Sequence, residues 1–154
     1  MAVSTKTLYE TDFVEWTART AELLRERRFE ELDLELLVEE VEELGLDWKH
    51  AVHSQLTRLL MHLIKLRIQP DRSSASWRAS IVSARSEIAI YIEDAPSLRR
   101  YAERTLSRAF HAAVKSAIEE TGIKPKRGTL PVDCPYSLTE LLDEEIDTLV
   151  AKLA

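Results

Sequence analysis

The chain has 154 residues, of which 45% are hydrophobic and 31% are charged, and its formal net charge is −6. This length favours one domain with a substantial core, and three glycines and five prolines are too few for an all-β protein with many tight turns. The single cysteine excludes an internal disulfide, and no apolar run approaches the roughly 18 residues of a membrane span. Because the first residues do not resemble a signal peptide, we expect a cytosolic, that is cytoplasmic, protein.

The first predicted element is a helix that begins near Asp12, which serves as its N-cap, and ends at Arg28. Phe13, Trp16 and Leu23 repeat at helical spacing and form its apolar face. The arginines near its end lie where the helix dipole favours cations.

The second predicted element is a long central helix over about residues 33–68. Gly45 allows a break, with Asp47 as the cap of a second helix, but the apolar pattern keeps its phase through the glycine. One helix is therefore favoured over two. Gln55 and His62 are polar residues at positions where the period asks for apolar ones. The pattern advances by three or four residues at a time, which is the α-helical period, through Leu37, Val41, Leu44, Trp48, Val52, Gln55, Leu59, His62 and Leu66.

Two further helices are predicted beyond the long one. A proline ends the long helix, and a loop over residues 69–74 leads to a helix that is capped by Ser74 or Ser76. Residues 94–97 stop that helix and start another, which Gly122 caps at its C-terminal end.

The last part of the chain contains a connection and a final helix. Residues 123–136 are too rich in proline and glycine to be helical. Ser137 and Glu140 form a capping box that opens the last helix, which is predicted to run to about Lys152. The sequence therefore predicts an all-α fold, a single domain over residues 1–154, built as a bundle of five to six helices.

A run of acids in the long helix is the first candidate for chemistry. Glu40 and Glu43 lie one helical turn apart, as paired carboxylates that hold Mg²⁺ or Mn²⁺ do. The run resembles the E-E-x-x-E signature of all-α nucleotide pyrophosphohydrolases, but residues 55–72 contain no partner E-x-x-D. Glu140-x-x-Asp143 has that form but lies far along the chain. Acid runs on amphipathic helices are usually solvated faces, so we predict no metal site and no cofactor.

The histidines are the second candidate. His50 and His53 are three residues apart on a helix, but no cysteine accompanies them. No Glu-x-x-His occurs in the chain, which argues against a ferritin-like di-iron bundle, so we interpret both as exposed side chains. His62 is either a base or ligand in a pocket, or a histidine at the edge of the core that is hydrogen-bonded to a neighbouring helix. We favour the second interpretation.

The loop after the long helix and the start of the next helix form the third candidate. Lys65, Arg72 and Arg78 could bind an anion or phosphate near a helix N-terminus. In the alternative, Trp77 packs as the first core residue of its helix and the arginines pair with the acid run. A wider polar cluster is also a candidate, formed by Glu40, Glu43, His62 and Trp77.

Charge is distributed unevenly along the chain. Residues 1–50 have a net charge of −8, residues 51–115 of +6 and residues 116–154 of −4. A basic middle can indicate a polyanion site, and nucleic-acid binding by the belt from Arg67 to Arg108 is one interpretation. We favour the view that acidic and basic helices face each other within the fold, and we do not expect nucleic acid as a partner.

Several ordered segments resemble one family of bacterial proteins, found mainly in cyanobacteria and proteobacteria. The segments include LYETDFVEWTARTAELLRERRFEELDLELLVEEVEELG, QLTRLLMHLIKLRIQP, SWRASI, DAPSLRRYAE and LPVDCPYSLTELLDE. The resemblance is to the domain-of-unknown-function family number twenty-nine, and it covers about residues 8 to 146. It implies a small, all-helical, single-domain protein without an assigned activity. The positions that match its motif are Tyr9, Asp12, Trp16, Asp33, Glu39, Glu40, Gly45, Leu60, His62, Leu63, Lys65, Gln69, Pro70, Arg72, Ser76, Trp77, Arg78 and Pro135.

These observations lead to one favoured function and one alternative. We expect an interaction or accessory module that associates with itself or with another protein through the apolar face of the long helix, and that is not an enzyme. The alternative is a small metal-dependent hydrolase or a nucleotide- or anion-binding bundle. It would use the Glu40/Glu43 region together with His62, Arg72 and Arg78.

Overall fold

The structure is a computed structural model that describes residues 4–72 and 74–154. Within these residues it contains seven α-helices and no strand, which confirms the all-α fold. Two short 3₁₀ turns, Phe29–Glu31 and Pro70–Arg72, lie before and after the third α-helix. The helices are α1 Thr5–Thr11, α2 Phe13–Arg25, α3 Leu34–Ile68, α4 Ala75–Asp94, α5 Ser97–Thr121, α6 Leu138–Asp143 and α7 Ile146–Ala151. None of these helices is both long enough and apolar enough to cross a membrane.

The chain divides into two compact units. The N-terminal unit ends at Leu46 and contains α1, α2 and the first part of α3. The C-terminal unit comprises Asp47–Ala154 and contains the rest of α3 and the four later helices. The single domain expected from the sequence stays a prediction.

Aromatic side chains hold the N-terminal unit together at the junction of α1 and α2. The ring of Tyr9 meets those of Phe13 and Trp16 edge-on, with centroids 5.7 and 5.2 Å away. The Asp12 carboxylate accepts a hydrogen bond from the backbone N–H of Glu15 at 3.0 Å, so the predicted N-cap is confirmed. Helix α1 was not among the predicted elements.

The end of α2 differs from the prediction. The helix ends at Arg25 rather than Arg28 because Arg27 adopts a left-handed conformation with φ 58°. The backbone N–H of Arg28 then donates to the Leu23 carbonyl at 3.0 Å, which closes the helix as a Schellman motif.

The long helix α3 confirms the prediction of one continuous element. The Asp33 carboxylate caps it by accepting a hydrogen bond from the Leu36 N–H at 3.1 Å, and the helix passes through Gly45 without a break. Its apolar stripe, however, is buried only in part. Val52, Leu59 and the residues near them are buried, whereas every residue from 41 to 50 is exposed.

The C-terminal unit contains the main hydrophobic core. Side chains of α3, α4 and α5 pack with those of the last two helices around the fully buried Phe110. Gly122 caps α5 in the left-handed conformation, with φ 67°, as predicted. The buried Tyr136 hydroxyl donates to the Leu149 carbonyl at 2.5 Å. This hydrogen bond attaches the connection before α6 to α7.

The last predicted helix is interrupted. The capping box of Ser137 and Glu140 is confirmed, but the helix stops at Asp143 and a new one begins at Ile146. Arg85 of α4 explains the interruption, because its guanidinium donates to the Leu141 carbonyl at 2.7 Å and to the Glu144 carbonyl at 2.5 Å. Because the helix stops, these carbonyls have no helical N–H donor, and the charged Arg85 side chain supplies the hydrogen bonds instead.

Candidate functional site

The N-terminal unit exposes more large apolar side chains than it buries. Its buried residues are Trp16, Thr20 and Leu23, of which only two are apolar. Soluble proteins rarely leave so large an apolar surface uncovered unless it is a binding surface. The large exposed apolar residues of this unit are Phe13, Val14, Leu24, Phe29, Leu34, Val38, Val41, Leu44 and Leu46.

The first part of α3 carries the ordered portion of this surface. Four of its side chains are 52–65% exposed, and with the half-buried Leu37 they repeat at steps of three or four. That repeat places them on one side of the helix, as in the contact face of a coiled coil. We call this set the apolar seam, and it consists of Leu34, Leu37, Val38, Val41 and Leu44.

Acidic residues surround the apolar seam. Residues 1–46 contain 13 acids and 5 bases, a net charge of −8, and Glu40 and Glu42 lie on the two sides of the seam. The Tyr9 hydroxyl donates to the Glu40 carboxylate at 2.5 Å, and this hydrogen bond raises the pKa of Tyr9. Glu40 is therefore part of the packing between α1 and α3.

The predicted polar cluster is divided between the two units. Glu40 and Glu43 lie in the N-terminal unit, whereas His62 and Trp77 lie in the C-terminal unit. Glu40 and His62 are 22 residues apart in the chain. In residues 4–72 and 74–154, no three His, Cys, Asp or Glu side chains are placed to hold a metal ion together.

Lys65, from the predicted anion site, is buried in the C-terminal unit. Its ammonium donates to the Glu120 carboxylate at 2.8 Å and lies 4.6 Å from the ring centre of Trp77, a cation–π distance. Only 7% of the residue is exposed, so its charge needs these partners. An anion that approached Lys65 would compete with Glu120.

A small pocket lies beside this buried lysine, and we call it the tryptophan pocket. It has a volume of about 370 Å³, near the lower end for ligand pockets. Arg72 lines the pocket, but Arg78 forms an ion pair with Asp147 at 2.6 Å. The alternative interpretation predicted that Arg78 pairs with the acid run of the long helix. That prediction is wrong, because Arg78 pairs with an acid of α7. The pocket is lined by Lys65, Gln69, Arg72, Ser74, Ser76, Trp77, Glu120 and Thr121.

His62 lies one turn before Lys65 and is 9% exposed. Burial lowers its pKa below the usual 6.5, and the nearby positive charge of Lys65 lowers it further. Its Nδ1 atom has no hydrogen-bond partner among the residues that the structure describes, so the predicted bond to a neighbouring helix is not seen at that atom. Gln55, the other polar residue of the stripe, accepts a hydrogen bond from Arg58 at 3.3 Å.

The two neighbouring histidines of α3 differ from each other. His50 is exposed, as predicted, but His53 is half-buried and its Nδ1 lies 2.9 Å from the Thr105 hydroxyl. Burial lowers the pKa of His53, and the charge of Arg108 adds to the effect. The expectation that both histidines are exposed is therefore wrong for His53, because α5 packs against this part of α3.

A cluster of exposed cations in the C-terminal unit lies at the end of the Arg67–Arg108 belt, although it was not singled out from the sequence. Arg100, Arg104 and Arg108 follow one another every four residues on α5, and Lys49 of α3 lies beside them. The four-residue spacing is visible in the sequence and places the arginines on one side of a helix. We call this set of four residues the basic face.

Comparison with known proteins identifies one relationship. A model of the family described as "Domain of unknown function DUF29" matches residues 8–146. A search of curated proteins found no match, and a search of solved structures found none either. The match covers most of the chain and includes the apolar seam, the tryptophan pocket and the basic face.

Proposed function

Since the chain belongs to the DUF29 family, whose function is unknown, we propose from the structure that it is a protein-interaction module that associates with a second copy of itself. The apolar seam of the N-terminal unit is the contact surface. The observation that carries the proposal is that this unit exposes nine large apolar side chains while burying two. Covering such side chains releases about 25 cal/mol for each Å² of apolar surface removed from water.

The spacing and extent of the surface favour a second copy as the partner. The seam repeats at steps of three and four residues, so two copies of α3 can interlock their side chains as helices of a coiled coil do. The four exposed seam side chains lie on one side of α3 and are 52–65% exposed, so a second copy that packs against them removes apolar surface from water on both chains. Two-fold symmetric pairs are the commonest homo-oligomers, and they use the same patch twice.

Sedimentation equilibrium at micromolar concentration tests the proposal with two matched triple variants. The seam variant replaces two valines and a leucine of the seam by glutamine, and we expect it to dissociate at least about tenfold more readily, a loss of about 1.4 kcal/mol. The control variant makes the same change at two valines and an isoleucine that are 54–85% exposed in the C-terminal unit, and it should associate as the wild type does. The seam variant is Val38→Gln/Val41→Gln/Leu44→Gln, and the control variant is Val82→Gln/Ile90→Gln/Val132→Gln.

Two outcomes would contradict the proposal. A wild-type chain that stays monomeric throughout the concentration range would exclude self-association. Equal weakening by both variants would show that a different apolar surface forms the contact. Circular dichroism of each variant establishes that its helices are intact, which exposed positions should permit.

A further inference from the structure

The cations of the basic face, in the C-terminal unit, form no ion pairs in the described part of the chain. Arg100, Arg104 and Arg108 are exposed on α5, and Lys49 is exposed on α3. In the described residues, none of these four cations lies within ion-pair distance of a carboxylate. Gathering four like charges without counter-charges raises the free energy of the fold, so the arrangement favours a bound anion.

Two cavities on this face share their lining. The larger has a volume of about 670 Å³ and extends from Lys49 to the first turns of α5, and the smaller, of about 360 Å³, adjoins it and reaches Arg108. Lys49, Tyr101 and Arg104 line both cavities. The larger volume is within the range of small-molecule sites, about 300–1,000 Å³.

The cavities contain little negative charge. Glu103 is the one acid that lines either of them, and its carboxylate lies 3.6 Å from Arg99, whose charge it offsets. The positive field also reaches the neighbouring helix, since the charge of Arg108 contributes to the lowered pKa of His53. An anion in the cavities therefore meets the four cations, and the one carboxylate in the lining is offset by Arg99.

We propose that the basic face binds a small ligand that carries two or three consecutive phosphate groups. Arginine presents a planar fork of N–H donors that matches the oxygens of phosphate, and three such forks on one helix suit several adjacent phosphates. The Lys49 ammonium lies over the Tyr101 ring, 5.7 Å from its centre, so an aromatic side chain holds one of the four cations at the cavity. A nucleic-acid site with about six to ten phosphate contacts would need more cations than the four of the basic face.

Isothermal titration calorimetry tests the proposal with inorganic tripolyphosphate and with ATP as probes. We expect both probes to bind the wild-type chain, and loss of the three arginines to weaken binding at least about tenfold, or about 1.4 kcal/mol. A control variant removes three exposed cations from the connection before α6, so its net charge falls by the same three units, and it should bind as the wild type does. The test variant is Arg100→Gln/Arg104→Gln/Arg108→Gln, and the control is Lys124→Gln/Lys126→Gln/Arg127→Gln.

The remaining outcomes overturn the proposal. No heat with either probe, or equal weakening in both variants, would show that the face is not a phosphate site. A 12-nucleotide single strand that binds more tightly and with a steeper salt dependence than tripolyphosphate would identify nucleic acid as the ligand instead. Loss of self-association in the arginine variant, without probe binding to the wild type, would assign the face to a protein contact. The seam variant of the proposed function should still bind both probes, so the two proposals fail separately.

Discussion

Lys65 of the C-terminal unit carries a buried positive charge, which needs partners to offset the cost of removing it from water. Lys65 is almost fully enclosed, and an unpaired charge in such a place costs several kcal/mol. Glu120 supplies the opposite charge at 2.8 Å, and the face of Trp77 adds an attraction of about 1–2 kcal/mol. This positive charge also acts on His62, one turn earlier in α3, and helps to keep its imidazole neutral.

The lowered pKa of His62 makes the stability of the fold depend on pH. Above about pH 8 the imidazole is neutral in both the folded and the unfolded chain. As the pH falls through 6.5, the unfolded chain takes up a proton that the folded chain does not, so the free energy of unfolding decreases. The decrease is at most about 1.4 kcal/mol per pH unit for one group, and it ends below the folded pKa.

Replacing His62 should reduce that dependence. We expect His62→Gln to show a smaller loss of unfolding free energy between pH 7.0 and pH 5.5 than the wild type, as measured by urea unfolding. His50→Gln is the control, because His50 is exposed on the same helix. An unchanged pH dependence in His62→Gln would contradict the assignment and would leave His53 as the responsible group.

Among the elements, the long helix α3 contains a glycine in its interior. Gly45 lies inside the helix in the exposed stretch from residue 41 to residue 50. A methyl group added there would meet no heavy atom within 4 Å. Glycine inside a helix therefore costs stability at this position without giving any packing in return.

Alanine at position 45 should stabilise the protein. We expect Gly45→Ala to raise the free energy of unfolding by about 0.5–1 kcal/mol, measured as a higher thermal midpoint. Gly122→Ala is the matched comparison, and it should lower stability by about 1–2 kcal/mol because Gly122 has φ 67°. Destabilisation by both changes would mean that the backbone at Gly45 needs its freedom.

Element patterns were predictable where a local signal sets them. Asp12, Asp33, Ser74, Ser137 and Gly122 all cap helices as their residue types indicate. Two helix ends were predicted wrongly, that of α2 and that of α6. Arg27 occupies a left-handed position where glycine is the usual signal. The interruption after Asp143 depends on Arg85, which no local pattern connects to it.

The candidate sites were predictable to a similar degree. Periodicity placed the seam on one side of a helix, but it does not tell whether that side is covered, and Val41, Leu44 and Trp48 of the predicted core stripe are exposed. Lys65 and Arg72 line one pocket, and the binding of an anion there stays a prediction. Arg78 is not in the lining of that pocket and pairs instead with Asp147, a residue 69 positions later that no local pattern connects to it.

On the scale of the whole molecule, charge is segregated between the two units. Residues 1–46 have a net charge of −8, whereas residues 47–154 have a net charge of +2. The proposed contact between two apolar seams brings two strongly acidic surfaces together, so like-charge repulsion opposes the burial of apolar surface. The balance between these two effects depends on ionic strength.

Self-association should therefore strengthen as salt is added. Raising sodium chloride from 50 mM to 500 mM shortens the Debye length from about 14 Å to about 4 Å, which screens the repulsion and leaves the apolar attraction intact. We expect sedimentation equilibrium to show a lower dissociation constant at the higher salt concentration. Glu42→Gln, beside the seam, should lower the dissociation constant at 50 mM salt. Weaker association at high salt would indicate a contact between opposite charges instead.

The hydrogen bonds of Arg85 also set an order of events during synthesis. Its two acceptor carbonyls lie 56 and 59 residues later in the chain. At 5–20 residues per second, a ribosome needs roughly 3 to 12 s to travel from residue 85 to residue 144. During that interval α4 can form, but the Arg85 guanidinium does not yet have the Leu141 and Glu144 carbonyls as acceptors. Docking of α6 and α7 is thus the late step in the maturation of the C-terminal unit, and the nascent chain carries an incomplete core until then.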